Sequence, residues 1–314
     1  MKTNKKLVNA WIFLNEDEPA FTSYRTPGSC YQALIQNNVY QSIDILYICF
    51  ATTVPTNITT LPAGNGSSYT INIDAASHPG NLTNQDYMDY ILRDARKNNP
   101  GIKIAVTLNW GDKNLLSNIF QNSDYSPQQN AANFAANLLA YLKHYDLDGF
   151  DIDWEYPLSG QTSRKQLRLL LNAIGAQFKQ QTDKHYYLTL SPTGIENLDV
   201  SAVNNNVDFI NLQLYGGAVP DIFISAGFNE NILVYGAKFE SGCQTALQVF
   251  QDNETHYRYS AFTCWRLNSG NYQFEQSQQK LLYQLAYVQS LQSDVKDVKS
   301  NTIIDDPHPE ACRT

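Results

Sequence analysis

The stretch DGFDIDWEYP, residues 148–157, places four acidic side chains within eight positions and interleaves them with glycine and large apolar residues. Charge this dense usually marks a solvated loop, yet a solvated loop has no use for Phe150, Ile152 and Trp154. The alternation has period two, the period of a β-strand, whose successive side chains face opposite ways. Read as a strand, one face carries Phe150, Ile152 and Trp154 and the other carries Asp151, Asp153 and Glu155. Such a strand needs an apolar layer on one side and an interior that tolerates carboxyls on the other.

The rest of the chain supplies both. Short apolar runs recur at LVNAWIFL (7–14), DILYICFA (44–51), IKIAVTLNW (102–110), LDGFDIDWE (147–155), YYLTLSP (186–192), VDFINLQLY (207–215), ILVYGAKF (232–239) and YSAFTCW (259–265). Most are rich in β-branched and aromatic residues, as buried strands are. Between them lie helical patterns. Ala131, Phe134, Leu138 and Leu142 share a face over 128–145, and Leu167, Leu170, Leu171, Ile174 and Phe178 do so over 164–180. A last helix over 276–292 is predicted to bury Leu281, Leu285, Val288 and Leu291. The link after the fifth run leaves room only for a brief helix near 198–205.

Eight strands alternating with helices predict a parallel sheet, and the number eight predicts its closure into a single (β/α)8 TIM barrel, with the active site at the C-terminal ends of the strands. A doubly wound open sheet is the alternative, but it usually carries a Gly-rich phosphate loop after strand 1, where this chain reads NEDEPAF. The barrel is expected to occupy residues 1–299, with a C-terminal tail over 300–314 and a long loop over 53–72.

Composition narrows the function. The chain has 314 residues, 43% hydrophobic and 17% charged, which fits a folded protein with a sizeable core. A net charge of −8 and no basic cluster argue against a nucleic-acid partner. No run approaches the ~20 apolar residues of a membrane span. The segment MKTNKKLVNAWIFLNEDEP looks superficially like a signal peptide, but its apolar run is short and acidic residues follow it, so it is read as the first strand. The expected location is therefore the cytoplasm, or outside it by a leaderless route, and the expected state is a monomer. The cysteines Cys30, Cys49, Cys243, Cys264 and Cys312 form no CxxC pair. Their odd number and wide spacing read as free thiols in a reducing compartment, with one or two disulfides as the alternative.

The acidic row then invites chemistry. In the barrel Asp151, Asp153 and Glu155 point inward, with Glu155 at the C-terminal end of strand 4. Carboxyls stacked at intervals of about 6.6 Å in a partly dry interior cannot all ionise cheaply. At least one holds a proton at neutral pH, as a general acid requires. A hard-cation site is the alternative. The neighbouring strand ends offer Asn109, Ser191, Gln213 and Tyr215, which suit hydrogen bonding better than ion capture, so no metal and no cofactor is expected.

The segment DGFDIDWE resembles the strand-4 signature of family 18 glycoside hydrolases, the chitinases and endo-β-N-acetylglucosaminidases. Asp-Gly is followed by Asp, Asp and Glu at alternate positions, and the order of elements along nearly the whole chain is similar too. The resemblance implies a retaining, substrate-assisted mechanism, unlike the two-carboxylate scheme. It implies that Glu155 protonates the glycosidic oxygen and the substrate's own 2-acetamido oxygen attacks the anomeric carbon. Asp153 then turns from Asp151 to steady the oxazolinium-like intermediate, while Asp151 holds the shared proton beneath. Asp148 and Gly149 match the start of the motif and are expected to shape the strand rather than act.

Further matches extend the expected site. Gln213-Leu-Tyr215 resembles the family's strand-6 motif, in which a tyrosine hydroxyl binds the acetamide carbonyl. Trp265 ends strand 8, where the family has a tryptophan as the floor beneath the reacting sugar, and Phe50 matches an aromatic lining the same subsite. Tyr156 and Asn109 complete the expected sugar contacts. Strand 3 departs from the family: Ser-x-Gly-Gly is replaced by Thr107-Leu108-Asn109-Trp110-Gly111, so Trp110 is either an added sugar platform or an obstruction. The short interval after strand 7 leaves no room for the α+β insertion of deep-grooved members, which implies an open groove and endo-action.

The implied partner is an oligosaccharide or glycan containing N-acetylglucosamine, with chitin oligomers first and the chitobiose core of N-glycans as the alternative. A non-catalytic, chitinase-like binding protein is a further alternative, although such members typically lose the residue at Glu155. An aldolase-type barrel would need a lysine at an inward strand end, where only Lys238 stands.

Overall fold

In the computed structural model, which describes residues 6–15, 24, 26–56, 68–111 and 115–291, every predicted strand forms. They are β1 (Leu7–Phe13), β2 (Ile45–Pro55), β3 (Lys103–Leu108), β4 (Gly149–Trp154), β5 (Tyr187–Pro192), β6 (Phe209–Gln213), β7 (Leu233–Lys238) and β8 (Ala261–Trp265). Each pairs in parallel with its neighbour in chain order, and β1 pairs with both β2 and β8, so the sheet closes. One principal helix follows each strand: α1 (Cys30–Gln36), α2 (Asn84–Asn98), α3 (Pro127–His144), α4 (Arg164–Lys179), α5 (Val200–Asn206), α6 (Pro220–Ala226), α7 (Ala246–Asp252) and α8 (Tyr272–Leu291). The result is the single (β/α)8 barrel that the alternation predicts, and residues 239–245 alone join β7 to α7.

Helix starts are written locally. Thr83, Ser126, Ser163 and Thr245 each accept a hydrogen bond from the backbone of the third helical residue, whose own side chain returns the bond. These reciprocal caps satisfy donors that the first helical turn leaves over.

Two apolar clusters divide the core. One lies between barrel and helices and holds Val8, Ile12, Phe150, Ile152 and Trp154 with the buried faces of α3 and α4, including Phe134, Leu138, Leu170 and Ile174. The other lies inside the barrel and holds Trp11, Tyr47, Cys49, Phe50 and Ala105, with Phe13, Tyr187 and Trp265 against it. The period-two split of the acidic strand is therefore real: its aromatic face feeds the outer layer and Asp151 and Asp153 face inward.

Three expectations need correction. The interval 53–72 is not all loop, because β2 runs on to Pro55 and Tyr69–Ile73 returns antiparallel to it, with Ala51 opposite Ile73 and Pro55 opposite Tyr69. The buried stripe of α8 is not the predicted leucine face. Leu282 and Ala286 are buried whereas Leu281 and Leu285 are only half-buried, and Glu275, Gln276, Gln278 and Gln279 are buried beside them. Those polar residues go inside because each meets a backbone partner: Glu275 accepts from Ser269 N, Gln278 from Ala246 N, and Gln276 and Gln279 donate to Leu267 O and Ser42 O. The side chains of Val288 and Leu291, and the expected tail 300–314, lie outside the described residues. Third, Cys243 is disulfide-bonded, so the cysteines are not all thiols, whereas Cys30, Cys49 and Cys264 are buried thiols. No helix among the described residues is long and apolar enough to cross a membrane.

Candidate active site

The start of β4 is set by Asp148 and Gly149. Asp148 accepts a hydrogen bond from Ile104 N at 3.0 Å and pairs with Lys184 at 3.2 Å, which fixes where the strand begins beside β3. Gly149 packs so closely on β5 that a Cβ there would stand 2.7 Å from Tyr187 O. Both act on the strand and not in the site, as expected of them.

Beyond them Asp151 is sealed at the bottom of the site. Thr189 Oγ1 donates to it at 2.6 Å and Ser191 Oγ reaches both of its oxygens at 3.0 Å. Ser191 in turn accepts from Asn211 Nδ2 at 3.2 Å, and Asn211 Oδ1 accepts from Thr263 at 2.9 Å. This chain crosses the barrel from β8 through β6 and β5 to β4. Burial raises the Asp151 carboxyl to about 6, and the hydroxyls pull the other way by bonding the charged form.

Asp153 stands next along the row and is almost fully buried. Its pKa is held well above the usual carboxylate range, first by burial and then by the negative charges of Glu155 and Asp151. One side chain binds Asp153 and Glu155 together: Gln213 Nε2 donates to Asp153 Oδ1 at 2.9 Å and to Glu155 Oε1 at 2.7 Å, and also faces Ser191 O at 2.9 Å. The carboxyl of Asp153 thus already sits on the Glu155 side. The negative charge of one carboxyl therefore bears directly on the other.

These groups open into a cavity of about 770 Å³ at the C-terminal end of the barrel. Asp153, Glu155, Gln213 and Tyr215 form its polar side, and Trp265, Phe50 and Trp110 line it with Trp11 and Phe13. Trp265 and Phe50 lie near-parallel, ring centres 6.1 Å apart, and Phe50 sits at a register shift of β2 that lies between Cys49 and Ala51. Tyr215 is carried by a short 3-10 turn after β6 rather than by the strand itself. Burial, with Asp153 and Glu155 nearby, pushes its phenol well above the usual range, so its hydroxyl stays a donor at any working pH.

Of the expected site residues, the structure brings together Asp151, Asp153, Glu155, Gln213, Tyr215, Trp265, Trp110 and Phe50. It does not bring in Asn109 or Tyr156. β3 ends at Leu108, and Asn109 caps the turn that follows: its Oδ1 accepts from Gly111 N at 2.8 Å and its Nδ2 donates to Asp74 at 3.2 Å. Tyr156 follows the last inward carboxylate, but the chain turns there into the helix Leu158–Gln161, and its side chain is 75% exposed over Gly160.

Four cavity residues escaped sequence reading: Trp11, Phe13, Thr193 and Gly216. The first two were within reach, because they alternate with Ile12 on β1 as Asp151 and Asp153 alternate with Ile152 on β4. Trp11 Nε1 donates to Thr107 Oγ1 at 3.2 Å, which ties the altered strand 3 into the floor.

Residues 22–266 match the family model described as Glycosyl hydrolases family 18. An endochitinase of Brugia malayi is 30% identical over 126 residues, which are 38% of this chain and 24% of that protein, so the match spans about a quarter of its length. Among solved structures, a GH18 chitinase from the chitin utilization locus of Flavobacterium johnsoniae superposes with a TM-score of 0.57 at 15% identity, covering 90% of this chain and 94% of that one. A plant class V chitinase mutant from Cycas revoluta, in complex with (GlcNAc)3, does so with a TM-score of 0.59 at 12% identity over 90% of this chain and 99% of that one. At these identities the structural likeness speaks for the fold alone.

Proposed function

Because the chain belongs to the family 18 glycosyl hydrolases, we propose that it cleaves β-1,4 bonds that follow N-acetylglucosamine in chitin oligomers, by a retaining, substrate-assisted mechanism. The observation that carries this reading is the joint grip of Gln213 on Asp153 and Glu155 at 2.9 and 2.7 Å, above a buried Asp151. This geometry places a carboxyl that can donate a proton beside one held in reach of the same cavity.

In the proposed sequence the sugar lies on Trp265 with its acetamido group toward Tyr215 and Asp153. Glu155 gives its proton to the glycosidic oxygen, and the bond to the anomeric carbon breaks as the acetamide oxygen bonds to that carbon. The nitrogen of the resulting oxazolinium-like ion carries positive charge, which the Asp153 carboxylate steadies through the N–H. The Tyr215 hydroxyl donates to the acetamide oxygen and orients it. Water then attacks the anomeric carbon from the face the leaving sugar vacated and gives a proton to Glu155. The acetamide is restored, and configuration is retained after two inversions.

The cavity stays open because residues 239–245 add no domain after β7, which supports cleavage within chains. The GlcNAc oligomer bound by the Cycas revoluta protein supports the substrate class. The disulfide at Cys243 supports action in an oxidising compartment.

The test offers chitohexaose and a high-mannose N-glycopeptide side by side, with Glu155→Gln as control. Di- and trisaccharides from the first substrate alone are expected. Release of a glycan ending in one N-acetylglucosamine would make the enzyme an endo-β-N-acetylglucosaminidase instead. Binding without cleavage of either would overturn the hydrolytic reading in favour of a sugar-binding role.

A further inference from the structure

The wall of the cavity beneath Trp265 is organised by a residue that does not line it. β7 ends at Lys238, and Phe239, fully buried, donates its backbone N–H to Trp265 O at 2.7 Å, which staples the exit of β7 to the end of β8. A 3-10 turn over Glu240–Gly242 follows, with Ser241 in the left-handed region at φ 57. This turn sends the Glu240 side chain back under the barrel mouth.

There Glu240 meets three donors. Its Oε2 accepts from the Trp265 indole Nε1 at 3.1 Å and faces Lys238 Nζ at 3.3 Å, and its Oε1 accepts from Arg266 Nε at 2.9 Å. Lys238 and Trp265 both line the cavity, and Arg266 is buried with its guanidinium 5.1 Å from the Phe13 ring centre. An indole has a single donor, and bonding it to a carboxylate fixes the rotation of the ring about its side-chain bonds more firmly than packing alone. The neighbours on the faces and edges of Trp265 are the aromatic rings of Phe50, Trp11 and Phe13 and the Arg266 guanidinium, 5.9 Å from its ring centre, which restrain its position but offer the indole N–H no acceptor.

We propose that Glu240 is a positioning residue for the sugar platform: by holding the Trp265 indole N–H it sets the plane on which the reacting sugar stacks. The inference rests on the proposed hydrolysis of N-acetylglucosamine chains, and deepens it by naming what orients the floor of that site. A platform held in its bound orientation before the sugar arrives saves the ordering that binding would otherwise require. Loosening it raises KM more than it lowers kcat, because the stacking is present in ground and transition states alike.

The test compares wild type, Glu240→Ala, Glu240→Gln, Trp265→Phe and the Glu240→Ala/Trp265→Phe double variant. In protein labelled with 15N-tryptophan, Trp265→Phe identifies the Trp265 indole N–H signal. Glu240→Ala is expected to move that signal and to speed its hydrogen exchange. With an N-acetylglucosamine oligomer, Glu240→Ala is expected to raise KM and the Kd of the trimer by about tenfold. Glu240→Gln, which keeps an acceptor for the indole and disturbs Arg266 less, restores most of the loss. In the double variant the Glu240 substitution adds little to Trp265→Phe, since the two act as one unit.

An indole signal that is unchanged in a folded Glu240→Ala protein would overturn the proposal, as would full additivity of the two substitutions. Wild type that neither cleaves nor binds the oligomer would instead remove the hydrolytic reading, and the indole signal would still decide whether Glu240 holds Trp265.

Discussion

Gln213 Nε2 stands 2.7 Å from Glu155 Oε1. The amide of β6 therefore reaches the end of β4 and binds the proposed acid directly. Since the same nitrogen is 2.9 Å from Asp153 Oδ1, it stabilises whichever carboxyl of the pair is ionised.

Gln213→Met keeps the volume and removes the donor. With the anionic form less favoured, Asp153 should hold its proton to higher pH. The expected outcome is a pH–rate bell moved to higher pH and a kcat/KM at the old optimum lower by about tenfold. A profile of kcat/KM against pH for both proteins checks this. A bell that stays in place would mean that the amide only fills space.

Glu155→Gln removes the proton donor while keeping the shape of the side chain. General acid–base catalysis contributes about 10²–10⁴-fold, so turnover should fall by at least that order while oligomer binding persists. Product release by chromatography, with Kd from titration, separates the two effects. A cellulose oligomer lacks the 2-acetamido group and should be inert with wild type. Its cleavage at a comparable rate would remove the substrate-assisted route.

The buried Asp151 makes stability depend on pH in a definite direction. Its folded pKa of about 6 lies above the ordinary 3.8, so between these values the unfolded chain has lost a proton that the folded protein keeps. The stability that Asp151 contributes should be greatest below the lower value, fall as pH rises through this window, and level off above it, a loss of about 3 kcal/mol. The raised pKa of Asp153 adds to the same trend. Asp151→Asn should flatten this first decline and raise the melting temperature at pH 7 relative to wild type, while impairing turnover. Melting curves from pH 4 to 8 test the sign.

Trp110 lines the cavity with 41% of its surface exposed, where the resemblance expects small residues. Stacking of a sugar on an exposed indole predicts that Trp110→Ala raises KM for chitohexaose by about tenfold with kcat little changed. A KM that falls instead would identify the indole as an obstruction in the groove.

Gly149→Ala tests how the acidic row is placed. A Cβ at this position would stand 2.9 Å from Tyr187 Cβ as well as 2.7 Å from Tyr187 O, and the sheet has no slack to absorb it. Overpacking of this kind costs about 1–3 kcal/mol. The chemical denaturation midpoint should drop accordingly. An unchanged midpoint would mean that β4 and β5 separate freely.

Much of this molecule was legible in one dimension because its physics there is periodic. Alternation of Phe150, Ile152 and Trp154 with Asp151, Asp153 and Glu155 set the faces of β4, and eight such runs between helices set the barrel. Sequence could place Glu155 at a strand end because strand order and direction determine which end of a barrel collects functional groups. Asn109 and Tyr156 stay outside the cavity lining because each lies just beyond a strand, where the period stops and a turn decides the direction of the side chain.

What only the tertiary structure decided is which distant residues meet. Gln213 and Glu155 are 58 positions apart. Trp265 finds Phe50 past the intervening β1, and Glu240 turns back toward Trp265, because closure of the sheet brings β2, β7 and β8 to one rim. The sequence alone determined the residue types, the faces they occupy and the family they resemble, since these follow from local sterics and the burial of apolar surface. Distances, hydrogen bonds and the grip on an indole depend on strand register and on the path of a short turn, and those are fixed only when the whole barrel packs.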